Sequence, residues 1–126
     1  MNVKVLFLTL FSMLTLGNPC FARDGEEHLN LHNVGYHGDH GEYYDPADKP
    51  EVYYNSSNQE IILVADGFAS YYDVDIISLS TLSLVLYQRV SGYGDNIDVS
   101  SLPDDNYKIV ITTSYNNGYE GYFTNY

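Results

Sequence analysis

The stretch Ile-Asp-Val-Ser-Ser-Leu-Pro-Asp-Asp-Asn-Tyr-Lys-Ile-Val-Ile, residues 97–111, decides the fold. A short β-branched run enters a Leu-Pro turn, and Tyr107 then opens a second run. In the second run Tyr107, Ile109 and Ile111 alternate with residues such as Lys108. Period-two alternation is typical of a strand that buries one face and leaves the other in water. The stretch therefore predicts two strands joined by a turn, with Tyr107 facing the core.

Short runs of the same kind continue on both sides of this stretch, from residue 49 to the end of the chain. Clusters of Ser, Asn, Asp and Gly separate them, and this texture predicts an all-β fold. Seven such runs match the strand count of an immunoglobulin or fibronectin-III-like antiparallel sandwich. We expect strands at residues 51–55, 59–65, 72–79, 82–90, 96–99, 107–113 and 119–124.

Residues 114–118 separate the last two of these runs and include Asn117 and Gly118, between Tyr115 and Tyr119. Asn-Gly supplies the two positive φ angles of a type I′ turn. We therefore expect a two-residue hairpin there.

The N-terminus has the layout of a cleaved signal peptide. Lys4 precedes an uncharged apolar run, residues 5–16, which is shorter than the roughly 20 residues that span a bilayer. Cys20 and Ala22 are the small residues that a signal peptidase requires, so cleavage after Ala22 is expected, with a secreted or periplasmic product. A lipid-bearing Cys20 is the alternative, although Gly17 and Pro19 do not match the sequence that such a signal needs before its Cys.

Cleavage would leave four basic and 17 acidic side chains, a net charge of −13 on a mature chain without cysteine. Such a charge repels nucleic acid and anionic membranes, so neither is expected as a partner. Residues 23–48 are rich in Gly, His, Asn and acid, with few apolar side chains, and predict a flexible leader. The expected organisation is a signal peptide at 1–22, a leader at 23–48 and one sandwich domain at 49–126.

Residues 97–111 also resemble a known corner of the immunoglobulin-like sandwich, in which Tyr107 packs in the core and its hydroxyl bonds back to the turn of Leu102 and Pro103. Together with Gly-Tyr-Glu-Gly-Tyr-Phe at 118–123, they resemble a small secreted family of gut Bacteroidota, domain-of-unknown-function family 3244. The resemblance covers residues 50–124. It implies a signal peptide followed by one immunoglobulin-like domain.

The same Leu-Pro and Tyr pattern is similar to the C-terminal sorting module of type IX secretion substrates. Those modules follow a cargo domain and tend to end with a basic residue, whereas this chain ends Thr-Asn-Tyr. These departures favour the small secreted family over the sorting module, which is kept as the alternative.

All four histidines lie in one thirteen-residue stretch inside the predicted leader, among several carboxylates. They are His28, His32, His37 and His40. Imidazole and carboxylate are ligands for zinc, copper and nickel, so the leader is a candidate site for a divalent transition metal. Its spacing matches no known metal motif. A solvated polar segment is the other interpretation.

Tyrosine is the second unusual feature, with 14 in the chain. Adjacent side chains of a strand face opposite sides, so at least one ring of the doublet Tyr53-Tyr54 should be exposed, and Tyr71-Tyr72 is a second doublet at the start of a predicted strand. An exposed Tyr suits contact with protein or sugar, so these four residues are candidate ligand contacts. Tyr is also a favoured strand residue without any such role.

Catalysis has little support in the sequence. Every histidine precedes residue 41, and no Gly-x-Ser-x-Gly elbow is present to position a nucleophile. We expect no catalytic residues and no cofactor other than the possible metal. The expected function is an exported, non-enzymatic binding or structural module whose partner is an unknown protein or glycan.

Overall fold

The computed structural model describes residues 25–34 and 46–126. Within those ranges the secondary structure consists of β-strands joined by turns and loops. No helix there is long and apolar enough to cross a membrane. In chain order the strands are β1 (Glu26–Leu29), β2 (His32–Val34), β3 (Glu51–Asn55), β4 (Glu60–Val64), β5 (Tyr71–Ser78), β6 (Leu84–Ser91), β7 (Gly94–Asp98), β8 (Asp105–Thr113) and β9 (Gly118–Asn125).

The strands form two antiparallel sheets that enclose an apolar core. One sheet has the order β1-β3-β4-β7 and the other the order β2-β9-β8-β5-β6. Period-two alternation is also present in β5, where Tyr72, Val74 and Ile76 are buried and Asp73 and Asp75 lie on the outer face. The prediction of an all-β antiparallel sandwich is confirmed.

The predicted number of strands is wrong, because the described ranges contain nine strands and not seven. The seven expected strands correspond to β3 through β9. The two others, β1 and β2, come from residues 26–34, which the sequence reading placed in a flexible leader. Leu29 and Leu31 bury their side chains in the core, and the chain crosses from one sheet to the other between these two strands. Two buried leucines make no readable period, so this segment looked polar.

These two strands cover one edge of each sheet, β3 in one and β9 in the other. β1 pairs with β3 along four residues, and β2 pairs with the first three residues of β9. Each pairing satisfies backbone groups that an open edge would leave to solvent. The sandwich thus begins before residue 49. The predicted signal peptide lies outside the described residues.

The turn between β8 and β9 also differs from the prediction. The amide of Asn116 donates to the carbonyl of Thr113, and the amide of Thr113 donates to the carbonyl of Asn117. This is a three-residue hairpin whose single left-handed position is Asn116, with φ of 71°. Gly118 belongs to β9, so the predicted type I′ turn is wrong. Asn tolerates the left-handed region well enough to take the position that Gly was expected to hold.

The connections between strands gather at two ends of the sandwich. We call one the loop end, which holds residues 65–70, 92–93 and 114–117. We call the other the corner end, which holds residues 56–59, 79–83 and 99–104 together with the C-terminal residue.

The corner end contains the contact expected of Tyr107. Its buried ring stacks on Phe123 with centroids 5.4 Å apart. Its hydroxyl donates to the backbone carbonyl of Pro103 at 2.5 Å, and Leu102 packs against the core beside it. This is the geometry of a tyrosine corner. The contact fastens the β7–β8 connection to the strand that follows it.

Candidate functional site

The loop end is built from three connections that hold one another in place. The amide of Gly67 donates to the carbonyl of Gly92 at 2.9 Å, and the amide of Gly92 donates to the carbonyl of Ser70 at 3.0 Å. A β-carbon on Gly92 would collide with the carbonyl of Ala69. The amide of Ser70 donates to the hydroxyl of Ser114 at 2.9 Å. Hydrogen bonds therefore link the three loops of the loop end into one surface.

Three exposed aromatic rings project from these loops, one from each. Phe68, Tyr93 and Tyr115 are 51%, 74% and 57% exposed. The rings of Phe68 and Tyr115 lie 5.2 Å apart, and the ring of Tyr93 lies over Gly67, whose φ is +90°. Large aromatic side chains on loops of a rigid scaffold are typical of a binding surface. We call these three residues the aromatic triad.

A buried carboxylate anchors the loop end from below. Asp48 is 2% exposed and accepts hydrogen bonds from Thr113 at 2.7 Å, Asn117 at 2.8 Å and Tyr119 at 2.9 Å. Burial opposes ionisation of Asp48, but these three hydrogen bonds outweigh it and hold the pKa below its ordinary value. Asp48 thus joins the segment before β3 to the hairpin that carries Tyr115.

A second polar cluster lies on the outer face of the five-stranded sheet. Arg89 donates to both carboxylate oxygens of Asp73, at 2.7 and 3.0 Å, and Tyr87 donates to the same carboxylate at 2.6 Å. The guanidinium of Arg89 also sits 3.8 Å from the ring centroid of Tyr71. Arg89 and Asp73 therefore form an ion pair within the chain, and the Arg89 hydrogen bonds lower the pKa of Asp73.

The predicted tyrosine contacts do not form one surface. Tyr54 and Tyr72 are buried, and Tyr54 donates to Asn125 at 2.6 Å. Their neighbours Tyr53 and Tyr71 face outward, because adjacent side chains of a strand point to opposite faces, but they do so from different sheets. One face of the Tyr71 ring is covered by an arginine of the neighbouring strand. The role of these four residues in ligand binding stays a prediction.

The predicted histidine site is also divided. His28 lies on β1 and His32 on β2, so they belong to different sheets. His28 contacts Glu51 at 2.6 Å between Nε2 and Oε1, and its ring is 5.0 Å from that of Tyr53. No group of three or more potential metal ligands occurs within residues 25–34 and 46–126. His37 and His40 lie outside these ranges, so metal binding by the set of four stays a prediction.

The sequence reading missed the aromatic triad, although a signal was present. Each ring follows or precedes a turn residue, in Gly67-Phe68, Gly92-Tyr93-Gly94 and Tyr115-Asn116. An aromatic residue beside a turn-forming Gly or Asn, outside any alternating run, is typical of a surface loop.

A cavity of about 380 Å³ opens at the corner end. Some of its polar side chains are engaged within the chain, because Tyr107 donates to Pro103 and Thr124 donates to Asn106 at 2.6 Å. Its lining consists of Glu27, Leu79, Asn106, Tyr107, Tyr122, Phe123, Thr124 and Tyr126.

The fold and the loop end define an immunoglobulin-like sandwich that presents an aromatic surface. Among solved structures, the chain is similar to a DUF3244 family protein with an immunoglobulin-like β-sandwich fold from Bacteroides vulgatus ATCC 8482. The two have 16% sequence identity and a TM-score of 0.62, over 80% of this chain and 99% of the other. The family that residues 97–111 resemble is thus that of a solved protein with the same fold. Neither a scan against family models nor a search of curated proteins finds a match.

Proposed function

We propose that this chain is an exported, non-catalytic binding module that recognises a protein or a glycan through its loop end. The observation that carries the proposal is the aromatic triad, three exposed rings on three hydrogen-bonded loops. An aromatic ring brings a large contact area with few rotatable bonds, so little conformational entropy is lost on binding. Its face stacks on sugars or packs against apolar protein side chains.

The rigidity of the loop end supports the same proposal. Binding to a preordered surface avoids the free-energy cost of ordering loops at the moment of contact. The Asp48 hydrogen bonds and the close approach of Gly92 to Ala69 supply that order here. The similar solved protein is described as immunoglobulin-like and of unknown function, which agrees with a module but identifies no ligand.

The test compares the parent with a variant lacking the aromatic triad, Phe68→Ala/Tyr93→Ala/Tyr115→Ala. Tyr126→Ala is the matched control, since Tyr126 is 78% exposed at the corner end. Both are applied to an array of polysaccharides and to an array of purified cell-envelope proteins. Loss of the triad should weaken any saturable signal by at least about tenfold, or about 1.4 kcal/mol, while the control keeps it. A signal that survives in the triad variant contradicts the proposed surface.

Export has its own test. The intact mass of protein recovered from the cell envelope or medium should correspond to a chain that begins at Arg23 and carries no lipid. A mass that includes a diacylglyceryl group on Cys20 would instead show a lipoprotein, and retention of residues 1–22 would contradict export by cleavage.

A further inference from the structure

The four outer edges of the two sheets are unequal. β1 is four residues long with two glutamates, β2 is three residues long, and β7 is five residues long with two aspartates. Short length and charge are the means by which natural sheets block pairing with another chain. β6 is eight residues long, and within residues 25–34 and 46–126 it pairs only with β5. It carries no proline and no acidic residue, so it is the least protected of the four edges.

The surface around β6 is also unusual for this chain. The whole protein has 17 acidic and five basic side chains, yet residues 76–91 contain no acid and a single Arg89. That cation is neutralised within the chain by Asp73, at 2.7 Å. On the same strand Leu84 and Tyr87 are 57% and 53% exposed. Asp75 of β5 lies beside Tyr87, but β6 itself carries no acidic side chain. Two copies of this acidic chain repel each other over most of their surfaces, and an edge strand without acidic residues is where that repulsion is weakest.

The register of β6 limits how a second copy can join it. Residues 86–91 pair regularly with β5, and Val85 is the extra residue of a bulge that ends this regular stretch. In a two-fold antiparallel pair, side chains of paired residues must lie on the same face of the joined sheet. Centring the pair on Gln88 meets this condition and keeps the bulge outside the paired segment.

We propose that two copies of this chain associate through β6, pairing antiparallel from Leu86 to Val90 with Gln88 on the two-fold axis. Tyr87 then lies opposite Arg89 of the second copy, and Leu86 lies opposite Val90 of the second copy. On the outer face of the sheet, the Tyr87–Arg89 contact occurs twice and brings an aromatic ring against a guanidinium. On the core-facing side, the Leu86–Val90 contact extends the apolar core. The five-stranded sheet becomes a continuous sheet across the dimer.

The proposed contact is small. Five paired residues with their side chains bury less than the 1,200 Å² or so of a standard stable interface, so the dimer is expected to be weak and concentration-dependent. A dissociation constant of roughly 10 to 1,000 μM fits an interface of that class.

Sedimentation equilibrium of the purified protein over a concentration series tests the association. Tyr87→Lys places an ammonium opposite Arg89 of the second copy at two positions, and we expect it to weaken association at least tenfold. Tyr126→Lys, which adds the same charge at the corner end, should leave association unchanged. A chain that stays monomeric up to about 1 mM overturns the proposal, as does equal weakening by both substitutions.

Disulfide formation tests the register without relying on a charge change. In a Cys20→Ser background, Gln88→Cys meets its own copy across the axis, whereas Ser91→Cys lies at the end of the strand and faces a different residue. On mild oxidation we expect Gln88→Cys to form covalent dimers at least ten times faster than Ser91→Cys. Equal rates, or faster dimerisation of Ser91→Cys, would overturn the proposed pairing.

Discussion

Each end of the sandwich is closed by a buried polar side chain, but the two side chains carry different charge. At the loop end Asp48 accepts three hydrogen bonds, and at the corner end Asn125, fully buried, uses both its oxygen and its nitrogen. Asn125 accepts from Tyr54 at 2.6 Å and donates to the carbonyls of Val99 and Leu102 at 3.3 and 3.1 Å. A charged anchor binds donors strongly but depends on pH, whereas an amide does not.

The difference follows the groups that each end must satisfy. The loop end brings together hydroxyl and amide donors from β8, β9 and the hairpin between them, and an ionised carboxylate accepts from all of them. The corner end presents backbone carbonyls, which need a donor that a carboxylate cannot supply. The more demanding anchor thus lies beneath the loops that carry the aromatic triad.

The largest expected effect is at the loop end. Asp48→Ala leaves Thr113, Asn117 and Tyr119 without their acceptor in a buried site. We expect the free energy of unfolding to fall by about 3 kcal/mol or more, measured by denaturant unfolding. Asp48→Asn keeps one acceptor oxygen and should lose less. A loss below about 1 kcal/mol for Asp48→Ala would show that the carboxylate is not an anchor.

Asn125→Ala is the matching change at the corner end. It removes the acceptor of Tyr54 and the donor to two backbone carbonyls, and we expect a loss of about 2 kcal/mol by the same measurement. Asn125→Asp should be worse than Asn125→Ala, because an ionised oxygen would replace the donor and face those carbonyls. If the aspartate variant is as stable as the parent, the assignment of the amide orientation is wrong.

The response to acid separates the two anchors. Because the folded-state pKa of Asp48 lies below its ordinary value, its contribution is complete above the unfolded-state pKa of about 3.9. It is lost as pH falls through the folded-state pKa. The stability gap between the parent and Asp48→Asn should therefore narrow as pH decreases into that range. The stability gap between the parent and Asn125→Ala should stay constant with pH. If both stability gaps narrow together, the two anchors do not differ in their response to acid.

Tyr107→Phe tests the corner itself with a smaller expected effect. The substitution removes only the hydroxyl that donates to Pro103, so the free energy of unfolding should fall by about 1 kcal/mol. The stacked ring on Phe123 remains. Coincident denaturation midpoints for parent and variant would mean that the hydroxyl contributes nothing to the corner.

The smallest effects should come from the exposed rings. Tyr93→Ala and Tyr126→Ala each remove a side chain that is mostly in solvent, at opposite ends of the molecule. Both should change the free energy of unfolding by less than about 0.5 kcal/mol. A large loss for Tyr93→Ala would assign its ring a structural role against Gly67 and weaken its assignment to binding.

Local pattern was enough to predict β3 through β9, because each of these strands alternates or is bounded by turn residues. It was also enough for Tyr107, whose position after the Leu-Pro turn is read directly from residues 97–111. β1 and β2 were not predictable from local pattern, because they are stabilised by pairing with β3 and β9. Such distant partners leave no hydrophobic period in the nine residues concerned. The three-residue turn with Asn116 was not predicted either, because the turn type follows from the loop length, and the loop length depends on where the two strands end.

The sequence by itself determined the fold class, the orientation of the tyrosine doublets and the resemblance to the family, since all of these depend on alternation and short motifs. Only the tertiary structure decided that Asp48 is buried, that β6 is the longest edge strand of the described sheets and that Phe68, Tyr93 and Tyr115 lie on neighbouring loops. The physical reason is that burial, edge position and shared surface are relations between segments far apart in the chain. Such relations arise only when the two sheets close on each other.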